Sequence, residues 1–371
     1  MTQTLGRVRA WIAAEWLLVL LLGLFPLMLW LAPSPLTGLA GLVDWKTVGA
    51  LAGLMILSRG LEVSGLIDRL GHSVVVRLHS ERGLALALVL FAALLAAVVT
   101  NDVALFVTVP LTLGLARVVS LPVGRLVIFQ ALAVNAGSTA SPVGNPQNLF
   151  LWQVSGVGFV EFTLAMLPLA AAMLAILLVF IPFGFRRTPL LLQETTQPVA
   201  LRQGLMIVAV LLYPLFLLAV NGGFVLVGTA FVTVVFALAF RTVLRGVDWP
   251  LLLVFVLMFV NLGLFGQLPA IGGLVQSGMD WPGGVYTLGA VLSQGMSNVP
   301  AAIFLAPFTE DWRALAWGVS TGGFGLAIGS LANLIALRLG GRPGIWGQFH
   351  LWSLPMFALS LLAGAILLAN I

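Results

Sequence analysis

The sequence predicts an all-α polytopic membrane protein made of two inverted repeats, each with a re-entrant helical hairpin and a broken transmembrane helix, and with its N-terminus cytoplasmic. Three observations lead there: an apolar composition, long apolar runs separated by short arginine-bearing loops, and polar interruptions at corresponding places in the two halves. Of 371 residues, 61% are hydrophobic and 8% charged, with a mean hydropathy of +1.13. A soluble domain is about half apolar and a quarter charged, so that class is excluded.

Apolar runs of about 20 residues, the length that crosses a ~30 Å hydrocarbon core, fall near 11–32, 45–67, 122–155, 160–183, 203–220, 222–241, 248–267, 313–340 and 345–368, which makes nine full spans. The first run follows Arg7 and Arg9 but is too long for a signal-peptide core and lacks a small-residue cleavage pattern, so it reads as a retained span. Two further stretches, 84–119 and 283–309, are each interrupted by a polar tripeptide and flanked by polar residues. Either could be two crossings; both are read as hairpins. Glycine and proline also break 122–155 (Gly137, Pro142, Gly144, Pro146) and 313–340 (Gly322, Gly323, Gly325, Gly329). Irregular backbone at that depth is tolerated only where protein or a wet cavity satisfies it.

The net charge of +5 would suggest nucleic acid until the basic residues are mapped. With the N-terminus cytoplasmic, Arg7, Arg9, Arg69, Arg77, Arg82, Arg117, Arg125, Arg186, Arg187, Arg202, Arg241, Arg245, Arg338 and Arg342 fall on inner loops, while Lys46 and Arg313 fall outside. Arg59 sits near an inner end. The charge therefore reports orientation in an inner membrane and implies the lipid bilayer, not nucleic acid, as partner. With no cysteine in the chain, disulfides and thiolate metal chemistry are excluded.

Sliding the chain along itself aligns "TNDVALFVTVPLT" (100–112) with "SNVPAAIFLAPFT" (297–309), and "GSTASPVGNPQNLF" (137–150) with "GGFGLAIGSLANLI" (322–335). Asp44-Trp45 and Asp248-Trp249 open spans at corresponding places. The predicted domains are a first repeat over 1–202, a connecting span over 203–221 and an inverted second repeat over 222–371. Two interrupted elements per half, in opposite orientation, are the pattern of a secondary transporter. An intramembrane enzyme would need a catalytic constellation at depth, but the histidines (His72, His79, His350) lie near loops and Asp102 has no partner aspartate in a span. A channel is a third reading, since paired hairpins can also build a filter.

The four segments "TNDVALFVTVP", "GSTASPVGNPQNL", "SNVPAAIFLAP" and "IGSLANLIALR", in this order and spacing, resemble the paired signatures of the ion transporter superfamily, which includes arsenite permeases, sodium/proton antiporters, citrate transporters and divalent anion/sodium symporters. The resemblance implies an elevator-type carrier, usually a homodimer, that binds substrate and coupling ion between two hairpin tips and two helix breaks. The dicarboxylate symporters carry Ser-Asn-Thr at both tips, whereas here the tips read Thr100-Asn101-Asp102 and Ser297-Asn298-Val299. The first is closer to the Asn-Asp pair of the arsenite and antiporter branch.

The residues argue for the same place on physical grounds. The second arm of each hairpin and the second half of each broken span aim a helix N-terminus inward, where unpaired N–H groups and partial positive charge suit an anion. Thr100, Asn101, Asp102, Ser138, Thr139, Asn145, Asn148, Ser297, Asn298, Gly329, Ser330 and Asn333 are the candidate site residues. A carboxylate at the depth of Asp102 persists only where it is partnered, protonated or used. It is accordingly the candidate carrier of a coupling H+ or Na+, with Na+ placed near Asn101, Asp102 and Asn298. No other cofactor is expected. The favoured reading is an ion-coupled carrier of a small anion or oxyanion, with Na+/H+ antiport as the alternative.

Overall fold

The computed structural model describes residues 15–75, 80–116, 120–189 and 200–370. Arg7, Arg9, Arg77, Arg117, His79, the start of the first predicted span and the end of the first predicted hairpin lie outside them. Among the described residues the fold is entirely helical apart from one isolated bridge between Ser80 and Pro189.

The helices follow one another in a series that occurs twice. The first series is α1 (Trp16–Leu31), α2 (Leu36–Leu42), α3 (Trp45–Val63), α4 (Leu66–Val75), α5 (Glu81–Val98), α6 (Asn101–Leu115), α7 (Val123–Ser138), α8 (Pro146–Ser155) and α9 (Phe159–Gly184). A connector, α10 (Gln203–Asn221), leads to the second: α11 (Val225–Ala239), α12 (Arg241–Arg245), α13 (Trp249–Gly266), α14 (Pro269–Met279), α15 (Gly284–Met296), α16 (Asn298–Leu305), α17 (Trp312–Gly322), α18 (Leu331–Gly340) and α19 (Ile345–Ala369). Five of these, α5, α9, α10, α13 and α19, are long and apolar enough to cross a membrane. The chain is thus a multi-pass membrane protein. The two hairpins differ: α5, with 18 residues, has the length of a full crossing, whereas α15 and α16 have 13 and 8.

The local reasons for the helix starts also recur. Asp44 accepts from the backbone N–H of Lys46 and Thr47, and Asp248 from that of Leu251, so each caps the helix that follows. The next residue in each case is a tryptophan whose Nε1 donates back over the preceding turn, Trp45 to the Ala40 carbonyl at 3.1 Å and Trp249 to the Leu244 carbonyl at 2.9 Å.

Packing follows the same pairing. Helix α5 runs along α7 and α15 along α17, while α3 packs on α11 and α13 on α1. These contacts are close because glycine faces backbone: a Cβ on Gly137 would run into the Ala93 carbonyl of α5, and one on Gly318 into the Tyr286 carbonyl of α15. Between the halves, α18 packs on α6 and α7, and α8 on α16 and α17. At one end of the bundle the last carbonyls of α9 are satisfied by arginine, with Arg82 donating to Pro182 and Phe185 and Arg125 to Gly184. Cationic groups at a helix C-terminus also complement its dipole.

Candidate functional site

The two helix breaks are held open by asparagine. Between α7 and α8 the chain leaves the helix over 139–145, and Asn148, fully buried, donates its Nδ2 to the carbonyls of Ser138, Thr139 and Ser141 at 3.3, 3.1 and 3.1 Å. Between α17 and α18, Asn333, also fully buried, donates its Nδ2 to the Gly323 carbonyl at 2.9 Å. Unwinding frees carbonyls that would be costly in an apolar interior. The two amides satisfy them.

Each asparagine is also held from the opposite half. Asn135 Nδ2 in α7 donates to Asn333 Oδ1 at 2.8 Å, and Ser320 Oγ in α17 donates to Asn148 Oδ1 at 3.4 Å. One shift of 185 residues carries Asn135 onto Ser320 and Asn148 onto Asn333, so the two bonds occupy matching positions. Ser330 Oγ adds a bond to Asn135 Oδ1 at 2.8 Å, and Asn145 Nδ2 donates to Ser138 Oγ at 3.0 Å. Of the predicted residues, Ser138, Thr139, Asn145, Asn148, Ser330 and Asn333 are therefore brought into one buried network. Thr139 joins it through its hydroxyl, which donates to the Asn135 carbonyl at 2.8 Å. Gly329 lies against the Gly322 carbonyl, where a Cβ would approach to 2.6 Å.

The hairpin tips are tied to these breaks in different ways. The Asn101 N–H donates to the Gly144 carbonyl at 2.8 Å, and Ser141 Oγ donates to the Ala97 carbonyl at 2.6 Å. At the second tip, Gln294 in α15 donates to the Gly322 carbonyl at 3.0 Å and accepts from the Leu326 N–H at 2.6 Å. No hydrogen bond joins one tip to the other among the described residues.

The tip residues are the least constrained by protein partners. Asn101 Oδ1 accepts from the Asp102 N–H at 3.0 Å, but the side chains of Thr100 and Asp102 make no hydrogen bond among the described residues. Asp102 lies inside α6 and does not cap it, since the N-cap is Thr100. At the second tip Ser297 has φ 74° and ψ 157°, a region essentially reserved for glycine, and its hydroxyl contacts Asn298 Oδ1 at 3.4 Å. Ser297 and Ser330 precede α16 and α18 without capping them through their side chains. In the first half, by contrast, Asn145 caps α8 through Asn148 N–H at 2.8 Å. The helix starts without a side-chain cap, with their anion-receptive N–H groups, are thus those of α6, α16 and α18, and the carboxylate of Asp102 lies in the first turn of α6.

Sequence reasoning missed Asn135, Ser320 and Gln294. The signal was available for the first two: they stand two residues before Gly137 and Gly322, just outside the aligned segments.

Comparison with known proteins bears on this geometry. A family model described as Citrate transporter matches residues 7–322. The inner membrane protein YbiR of Escherichia coli is 45% identical over 328 residues, covering 88% of each chain. An uncharacterized transporter of Methanocaldococcus jannaschii is 31% identical over 317 residues, 84% of this chain and 85% of that one. The crystal structure of the Alcanivorax borkumensis YdaH transporter has a similar fold, with a TM-score of 0.60 at 17% identity over 96% of this chain and 97% of that one.

Proposed function

The chain belongs to the citrate transporter family and is a membrane transporter, and from that premise we propose that it moves a small anion or oxyanion across the inner membrane by ion-coupled, elevator-type alternating access. The observation that carries the reading is that helix starts without a side-chain cap stand at both hairpin tips and at the second break, with one carboxylate among them. The uncapped starts of α16 and α18 offer N–H groups and positive dipole ends to an anion, and Asn101 and Asp102 offer oxygen to H+ or Na+.

The paired contacts support two inverted repeats: α5 on α7 and α15 on α17 within each half, α18 on α7 and α8 on α17 between them. Family membership favours a carrier over an enzyme. In this reading the domains are 1–202 and 222–371 joined through α10, the chain pairs as a homodimer, and the arginine-bonded end of α9 faces the cytoplasm. Na+/H+ exchange is the second reading, favoured by Asp102, whose carboxylate has no hydrogen-bonded protein partner among the described residues.

Uptake by purified protein in proteoliposomes tests the proposal. Accumulation of a labelled anion driven by a pH or Na+ gradient is the expected result; cation exchange with no anion flux would support the second reading. Because the chain has no cysteine, single cysteines report topology directly. Gly83→Cys should label from the cytoplasm and Thr309→Cys from the other face. Labelling of both from one face would reject the inverted arrangement.

A further inference from the structure

A groove of about 1000 Å³ lies between α9 and α10, and none of the candidate site residues lines it. Its walls are apolar: Val160, Leu164 and Pro168 on α9 face Pro214 and Leu218 on α10. Val160, Leu164 and Leu218 are 68%, 61% and 67% exposed. The ends of the two helices are tied together at the mouth, where the Phe159 N–H donates to Asn221 Oδ1 at 2.8 Å. Beside this mouth lie one carboxylate, Glu161, and one guanidinium, Arg313 at the start of α17. They form no ion pair with each other, and neither side chain makes a hydrogen bond among the described residues. Arg313 rests instead over the Trp312 ring, 5.9 Å from its centroid.

From Gly158 to Pro168 the groove follows α9 for ~15 Å at ~1.5 Å per residue. That is half of a ~30 Å hydrocarbon core, the depth of one leaflet. An apolar channel of that depth, with both signs of charge unpaired at its mouth, matches a single kind of amphiphile. We propose that the groove is a binding site for a phospholipid with a phosphate–ammonium headgroup, phosphatidylethanolamine, its phosphate on Arg313, its primary ammonium on Glu161 and one acyl chain laid between α9 and α10. A net-anionic headgroup would meet repulsion from Glu161. A choline headgroup has no N–H to donate to the carboxylate.

The full-length protein, extracted in mild detergent and exchanged into nanodiscs of equal phosphatidylethanolamine, phosphatidylglycerol and phosphatidylcholine, would be examined for retained lipid by native mass spectrometry. Phosphatidylethanolamine should be retained over each of the others by about fivefold or more, and Arg313→Ala and Glu161→Ala should each lower that retention by about fivefold. Leu164→Trp, which narrows the groove and leaves both charges, should lower it as well. Size-exclusion profiles would confirm that each variant is folded. Undiminished retention in both charge variants, preference for phosphatidylglycerol, or displacement of the lipid by soluble citrate or phosphate would overturn the proposal.

Discussion

Asn135 Nδ2 donates to Asn333 Oδ1 at 2.8 Å across the two halves, while Asn135 Oδ1 accepts from Ser330 Oγ at 2.8 Å. One amide therefore joins the end of α7 to the start of α18 from both sides. Replacing it with alanine leaves a buried carbonyl oxygen and a buried hydroxyl without these partners, at a cost of about 1–3 kcal/mol each if water does not enter. Asn135→Ala should lower the thermal midpoint in detergent by several degrees and impair uptake. A midpoint equal to that of wild type would show that the bond does not hold the halves together.

Ser297 can be relieved of its backbone strain by glycine. The region it occupies costs about 1–3 kcal/mol for a residue with a side chain, against about 0.5–1 kcal/mol lost to the added freedom of the unfolded glycine. Ser297→Gly should therefore be as stable as wild type or slightly more so, and Ser297→Val less stable. If the hydroxyl at this tip serves the substrate, uptake falls in the glycine variant although the fold does not. Thermal midpoint and uptake measured on the same preparation separate the two effects.

The approach of α7 to α5 at Gly137, and of α17 to α15 at Gly318, leaves no room for a methyl group against backbone. Gly137→Ala and Gly318→Ala should each give little folded protein. Gly204, in α10, has nothing within 4 Å of an added Cβ. There alanine should be tolerated or stabilise by about 0.5–1 kcal/mol through helix propensity. Yield of monodisperse protein on size exclusion checks all three, and normal yield from both tight-site variants would contradict the packing.

Asp102→Asn keeps the size of the side chain and removes its charge. If the carboxylate carries the coupling proton, the variant should bind substrate and exchange it across the membrane but fail to accumulate it on a pH gradient. A sodium role gives another pattern, loss of Na+ dependence with the pH response intact. Full gradient-driven uptake by the variant would remove Asp102 from the mechanism.

The elements legible in the sequence were those set by length and by breakers. The predicted spans 160–183, 203–220 and 345–368 fall within one residue of α9, α10 and α19 at each end, because a run of apolar residues terminated by polar loops defines both ends. The glycines and prolines of 137–146 and 322–329 marked the breaks for a local reason as well, the loss of donors and the close approach of backbone. Asn148 and Asn333 were legible as positions through their symmetric placement; that each would use its amide on the carbonyls of its own break was not. Asn135 shares α7 with one other amide, Gln130, and its partner lies 198 residues away. No periodicity records such a bond. The backbone of Ser297 was equally hidden, since a serine carries none of the turn chemistry that a glycine would have announced.

The bonds from Asn135 to Asn333 and from Ser320 to Asn148 also bear on descent. Under the 185-residue shift they are two versions of one contact, and a contact that maps onto itself in this way is what two identical chains make about a two-fold axis. A half-length chain carrying one hydrogen-bonding side chain at the first position and asparagine at the second could satisfy both bonds by meeting a copy of itself. Fusion of two such copies frees the paired positions to diverge separately. Asparagine stands at 135 and serine at 320 today, while both of their partners are still asparagine.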